Sequence, residues 1–181
     1  MVGIDCFTDY YERSRKEQNL EMSRSSDRFR FEAADLVDAD LAPLLDGADA
    51  IYHLAGQPGV RPSWGNQFDR YVRDNVIATQ RLLEALKEAP IKRFVFAGSS
   101  SVYGDAERFP TKETALPRPV SPYGVTKLAA EHLTHLLHQK LRHPCGFCQV
   151  LHRLWTAPTT RHGVLALHAS DDRRRGHRSL W

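Results

Sequence analysis

Cysteine is scarce: Cys6, Cys145 and Cys148 are the only three in a chain of 181 residues. Three thiols cannot build a disulfide framework, which excludes the small stapled domains. No apolar run is long enough to span a bilayer and no secretory leader opens the chain, so the expectation is a soluble cytoplasmic protein of one domain. The segment after Lys140 has no lysine and no glutamate. The net charge of +3 divides there as well. Residues 1–141 carry 18 Lys and Arg against 20 Asp and Glu, a net of −2, while residues 142–181 carry seven Arg against Asp171 and Asp172, a net of +5. The basic character belongs to the tail and argues little for a nucleic-acid partner.

What is present alternates between strand and helix patterns. Met1 to Ile4 reads as a short buried strand closed by Asp5, and Asp9 to Met22 as a polar helix. Arg28 to Ala34 alternates like a strand and leads into Asp35-Leu36. Leu41, Leu44 and Leu45 suggest a short helix stopped near Gly47, and Ala50 to Leu54 is the next buried strand, followed by Ala55-Gly56. From Asn66 to Lys87 the apolar residues keep helical spacing, interrupted by Asn75; Lys92 to Ala97 is again a strand. Such alternation predicts an α/β fold with a parallel sheet. His53, inside a strand, is more often a packed core histidine than a ligand. Cys6 reads as a small buried residue.

Two stretches carry chemistry. Ser121 is a good N-cap and Pro122 suits the first helical position, so Tyr123 falls in the opening turn of a helix. Lys127 follows on the same face. A tyrosine with a pKa of about 10 is a poor base at neutral pH, and a neighbouring ammonium would favour its phenolate. Ser99, at the end of the Lys92 to Ala97 strand, could orient the oxygen that Tyr123 deprotonates. The bland alternative is a capped surface helix with a snorkelling lysine, because Tyr-x-x-x-Lys occurs by chance.

With Ile4-Asp5, Asp35-Leu36, His53-Leu54-Ala55-Gly56, Asn75, Ser99 to Gly104, and Tyr123 with Lys127, the chain from Val2 to about Lys140 resembles the extended short-chain dehydrogenase/reductases, in the NAD-dependent nucleotide-sugar epimerase/dehydratase family. The resemblance implies a Rossmann-like doubly wound parallel sheet, NAD as cofactor and a nucleotide-sugar substrate, with no nucleic acid and no membrane. It implies catalytic roles for Ser99, Tyr123 and Lys127. It places the cofactor against Asp5, Asp35, Leu36, Leu54, Ala55, Gly56, Asn75, Ala97, Tyr123 and Lys127. Asp5 would accept hydrogen bonds from the adenosine ribose and repel a 2′-phosphate, favouring NAD over NADP, although it could equally cap a helix. Gly56 would let the backbone approach the cofactor. Asn75 would support the catalytic strand, or be a tolerated boundary residue. Relatives often dimerise through the helices matching 66–88 and 122–140. Ser99, Ser100 and Ser101 stand where dehydratases resemble Thr-Asp-Glu, which favours a 4-epimerase over a 4,6-dehydratase. An inactive truncated product or a non-catalytic dinucleotide-binding module is the alternative of another class.

Two departures from the family follow. None of the 11 glycines forms the Gly-x-x-Gly-x-x-Gly loop that cradles a pyrophosphate at a helix N-terminus. The expectation is therefore an incomplete fold: residues 1–140 as a partial NAD-binding domain that lacks its first strand. An open groove and exposed edges are expected between the strands at residues 1–5 and 50–54. The second departure is residues 141–181, an aberrant tail with no clear periodicity. Cys145, Cys148 and His152 resemble half a zinc site with no second pair of ligands. Arg173-Arg174-Arg175 could be a nucleic-acid patch. A third alternative is translation in a shifted frame. Codons allowed for Gln149 to Leu165, read one base later, permit Arg-Tyr-Phe-Thr-Val-Tyr-Gly-Pro-Arg-Gln-Arg-Pro-Asp-Met-Ala-Phe, which resembles the family's segment after its sixth strand.

Overall fold

The computed structural model describes residues 1–89, 91–105, 110–140, 148–151 and 165–168. Six strands form one sheet: β1 (Val2–Ile4), β2 (Arg30–Glu32), β3 (Ala50–His53), β4 (Arg93–Ala97), β5 (Cys148–Leu151) and β6 (Leu165–His168), in the order β2-β1-β6-β3-β4-β5. The pairs β1 with β2, β3 with β4, and β4 with β5 are parallel. This is the order of a doubly wound sheet, 3-2-1-4-5-6, with β6 in the place of the first strand.

The groove expected between β1 and β3 is not there. The two strands do not pair with each other, as expected, but β6 lies between them and is antiparallel to both, with Gly3 opposite Ala166 and Ile51 opposite Leu167. The physical reason is the cost of those exposed edges. Two facing rows of unpaired N–H and C=O groups are a template for any strand within reach, and an antiparallel strand satisfies both. The tail thus contributes two strands, although its sequence carries no strand periodicity.

Helix α1 (Arg13–Arg24) starts later than the pattern suggested and buries only Lys16 and Leu20, one turn apart. A short α2 (Ala42–Leu45) ends before Gly47, whose φ of 68° is left-handed. The run predicted as one helix from Asn66 to Lys87 is helical but not uniform. Between α3 (Phe68–Tyr71) and α4 (Ala78–Ala85) lies a π-helical turn, Val72–Ile77. A π turn accommodates one extra residue, and here it carries Asn75 into the interior, 2% exposed. Helix α5 (Pro122–Lys140) begins as the sequence indicates: Gly124 N donates to Ser121 Oγ at 3.1 Å. It packs on the π turn and α4. Ile4, Ile51, Leu82, Leu86, Phe94 and Phe96 are the centre of the core. Among the described residues no helix is long and apolar enough to cross a membrane.

Candidate active site

The end of β4 and the first turns of α5 meet at Ser99, Tyr123 and Lys127. Ser99 Oγ accepts from Ser101 N at 3.2 Å and so caps the 3-10 turn Ser100–Tyr103, which fixes its hydroxyl beside the helix. Burial pushes the Tyr123 phenol up, a hydrogen bond with Ser99 pulls it down, and the Tyr10 phenol raises it further. The expected lowering by Lys127 is therefore not what sets this tyrosine; desolvation wins. The Tyr71 ring meets the Tyr123 ring edge-on at 6.2 Å, and its hydroxyl donates to Pro58 O at 2.9 Å.

Lys127 is 7% exposed, and its Nζ lies 4.5 Å from the centre of the Phe96 ring. Burial pushes it down to about 8, against the opposing pull of Glu131 one turn along. It is a buried lysine whose ammonium is held less firmly than an exposed one, not a snorkelling one.

Behind these residues runs a buried polar chain. Asn75 Oδ1 accepts from Gln57 N at 2.7 Å, and its Nδ2 donates to Gln57 O at 3.1 Å and to Thr126 Oγ1 at 3.0 Å. Thr126 Oγ1 in turn donates to Tyr123 O at 2.8 Å. Asn75 thus ties the loop after β3 to the first turns of α5. The expected bonds to the β4 strand give way to these. This also changes the reason for Gly56: a Cβ there would sit 2.7 Å from Asn75 Oδ1, so the glycine makes room for the asparagine. Thr79 Oγ1 donates to Asn75 O at 2.7 Å and lies 2.8 Å from His53 Nε2. The threonine's one hydrogen is committed, so Nε2 carries the imidazole proton. His53 is wholly buried and pushed down to about 3 by burial and then by Lys127, a neutral core histidine as the sequence suggested.

The other end of the site is a half-open cavity. Asp5, Asp35, Leu36, Ala55 and Gly56 line it, five of the expected cofactor residues brought together from three segments. Asp5 Oδ1 accepts from Phe7 N at 2.6 Å and lies 3.7 Å from Lys16 Nζ; burial raises this carboxyl, with Phe7 and Lys16 opposing. Lys16 is itself buried, its Nζ 5.6 Å and 5.0 Å from the rings of Phe7 and Tyr11. Leu54, 44% exposed, and Ala97 do not line this cavity, and neither do Asn75, Tyr123 and Lys127. Gly59 links the two ends. With φ of 105°, its Cβ position lies 3.2 Å from the Tyr10 hydroxyl, on the cavity wall, and 3.3 Å from that of Tyr71, which faces Tyr123.

The donors fit the adenosine half of a dinucleotide: a buried carboxylate beside an ammonium for a ribose diol, and a second carboxylate for a base amine. Lys16 lies beside Asp5, so the repulsion of a 2′-phosphate expected from that carboxylate is partly offset by the ammonium. Sequence reasoning missed Lys16, Thr126 and Arg73. Only Lys16 had a trace of a signal, its spacing from Leu20. Cys145 and His152 lie outside the described residues, among which no cluster of His, Cys, Asp and Glu could hold a metal ion.

Comparison with known proteins agrees with this geometry. Residues 6–147 match the model of the NAD dependent epimerase/dehydratase family. An uncharacterized UDP-glucose epimerase of Bacillus subtilis, YtcB, is 48% identical over 144 residues, covering 80% of this chain and 45% of that protein. A UDP-glucose 4-epimerase of Mycolicibacterium smegmatis is 39% identical over 135 residues, 72% of this chain and 41% of its own length. The chain therefore spans a little under half of these curated relatives. Among solved structures, the UDP-glucuronic acid 4-epimerase of Bacillus cereus with UDP-glucuronic acid and NAD superposes with a TM-score of 0.79 at 42% identity, covering 83% of this chain and 47% of that one. The dTDP-glucose 4,6-dehydratase DesIV of Streptomyces venezuelae, with NAD bound, gives 0.73 at 27% identity over 82% and 44%.

Proposed function

We infer the function from one premise: the chain belongs to the NAD dependent epimerase/dehydratase family. We propose that it carries the NAD-binding and acid/base half of a UDP-sugar 4-epimerase acting in the cytoplasm. The observation behind this is the meeting of Ser99, Tyr123 and Lys127 at the end of β4 and the start of α5, with Lys127 pushed down to about 8 by burial.

The cavity residues would hold the adenosine half of NAD, Asp5 and Lys16 at the ribose and Asp35 with Leu36 at the base. NAD, when bound, supplies a hydride acceptor and donor. Tyr123 takes the proton from the sugar 4-hydroxyl as a 4-keto sugar forms, and returns one when the sugar is reduced on its other face. Ser99 holds the same oxygen through its hydroxyl. Lys127, in its ammonium form, favours the tyrosinate that burial alone disfavours, and its place one turn from Tyr123 suits the nicotinamide ribose. Asn75 and Thr126 hold this turn in register. A dehydratase needs an acid and a base to eliminate water across C5–C6, and Ser100 and Ser101, in the 3-10 turn, supply neither.

The test is a chimera in which residues 6–140 replace the matched segment of the Bacillus cereus enzyme, assayed with UDP-glucuronic acid and NAD. Epimerisation supports the proposal; 4,6-dehydration, or failure of a folded, NAD-loaded chimera to turn over, overturns it. Homodimerisation through the helices at 66–88 and 122–140 belongs to the same proposal. Ile77, Val125 and Leu136 on these helices are exposed apolar residues. Val125→Glu with Leu136→Glu should shift the chain from dimer to monomer in sedimentation velocity, and a parent chain that sediments as a monomer would rule the dimer out.

A further inference from the structure

Asp35 does not stand alone at the cavity. Its Oδ1 accepts from Val37 N at 2.8 Å, and its Oδ2 accepts from Arg73 Nη1 at 2.9 Å. The same guanidinium reaches Asp38 Oδ2 through Nη2 at 2.8 Å and Asp74 Oδ1 through Nη1 at 3.1 Å. Arg73 belongs to the π-helical turn, two residues before Asn75, and so is anchored by the element that also ties down the catalytic turn. Four carboxylates, those of Asp5, Asp35, Asp38 and Asp74, gather around this region, and Arg73 is the group that bridges three of them.

We propose that Arg73 is a positioning residue for base selection: by clamping Asp35 against Val37 N, it presents a correctly oriented carboxylate that accepts from the exocyclic amine of adenine. The proposal rests on reading the cavity as the adenosine end of the site. An ionised carboxylate is an acceptor only, so it suits an amine and opposes a carbonyl oxygen at the same position. Hypoxanthine carries that oxygen. With the clamp intact the site discriminates the two bases. Without it, Asp35 is free to rotate away from the direction in which it meets the amine, which erases the preference. A forked guanidinium is suited to this because its nitrogens have fixed relative positions, so one side chain sets the orientation of several carboxylates at once.

The experiment is ligand-observed saturation-transfer NMR on the full 181-residue chain at neutral pH, titrating AMP and IMP separately. The parent chain should favour AMP by about tenfold, the worth of one hydrogen bond made or opposed. Arg73→Met, which keeps the straight apolar stem, should bring the two nucleotides to within about twofold. Asp38→Asn guards against a variant that fails to fold. Asp38 is 74% exposed and holds the far side of the clamp, so its loss should reduce the preference partway. A parent that binds neither nucleotide overturns the assignment of the cavity and the inference with it. A parent that prefers AMP, beside Arg73→Met and Asp38→Asn chains that prefer it equally, overturns the role of Arg73 alone. Weaker binding with an unchanged ratio has that same meaning, because a merely structural role lowers both affinities together.

Discussion

Replacing Lys127 by methionine should make the protein more stable at neutral pH while removing the ammonium proposed to favour the tyrosinate. The folded state holds this lysine at about 8 against an ordinary value of 10.5, with burial as the leading cause. Each pKa unit is worth about 1.4 kcal/mol, so the ammonium is disfavoured in the fold by about 3 kcal/mol. Methionine has a similar straight stem and no charge. It forfeits the ammonium contact with the Phe96 ring, worth about 1–2 kcal/mol when desolvated, which leaves a net gain of about 1–2 kcal/mol. The pH dependence carries the sign. The folded pKa lies below the unfolded one, so between about pH 8 and 10.5 the unfolded chain binds more protons and the parent gains stability as pH rises. Below pH 8 the lysine is charged in both states and the penalty is complete. The advantage of Lys127→Met is therefore full at about pH 7, shrinks through about pH 8.5 and 9.5, and ends near 10.5. Urea unfolding followed by far-UV circular dichroism at about pH 7, 8.5 and 9.5 measures it. A variant less stable than the parent at pH 7, or a gap that does not change with pH, would refute the reasoning.

Asn75→Ala leaves Gln57 N–H, Gln57 C=O and Thr126 Oγ1 without their buried partner and should cost about 2–4 kcal/mol in the same unfolding assay. A loss below about 0.5 kcal/mol would mean that the loop after β3 and helix α5 do not depend on that bridge. The shifted-frame proposal for residues 141–181 is read directly from the coding DNA. Codons from Gln149 to Leu165 should spell Arg-Tyr-Phe-Thr-Val-Tyr-Gly-Pro one base later, and codons that block this motif end the idea.

Much of the fold was legible because it is local. Ser121 and Pro122 announce the start of α5, and the apolar runs at Ala50 to His53 and Arg93 to Ala97 mark the central strands. Asp5, Asp35 and Gly56 could be placed at one site because they stand at strand ends, where a doubly wound fold gathers its ligand contacts. The rest depends on partners far along the chain. The π turn leaves the helical spacing of residues 66–87 nearly intact, and what selects it is Asn75 finding Gln57 and Thr126, 18 and 51 residues away. The Arg73 clamp reaches back 35 and 38 residues to Asp38 and Asp35. The state of Tyr123 was misjudged because charge proximity can be guessed from helical spacing, whereas desolvation requires the packed surroundings. The capture of Leu165–His168 between β1 and β3 answers open hydrogen-bonding edges, to which an apolar pattern gives no clue.

The central claim is that Tyr123 performs the proton transfer of a 4-epimerase. Its most direct test is Tyr123→Phe in the chimera with the Bacillus cereus enzyme, comparing turnover of UDP-glucuronic acid with NAD binding in one preparation. The phenylalanine keeps the ring that packs on Tyr71 and deletes only the hydroxyl, so NAD binding should stay within about twofold while turnover falls by about a thousandfold. Turnover within about tenfold of the unsubstituted chimera would contradict the account, because general acid–base catalysis by the tyrosine accounts for more than that.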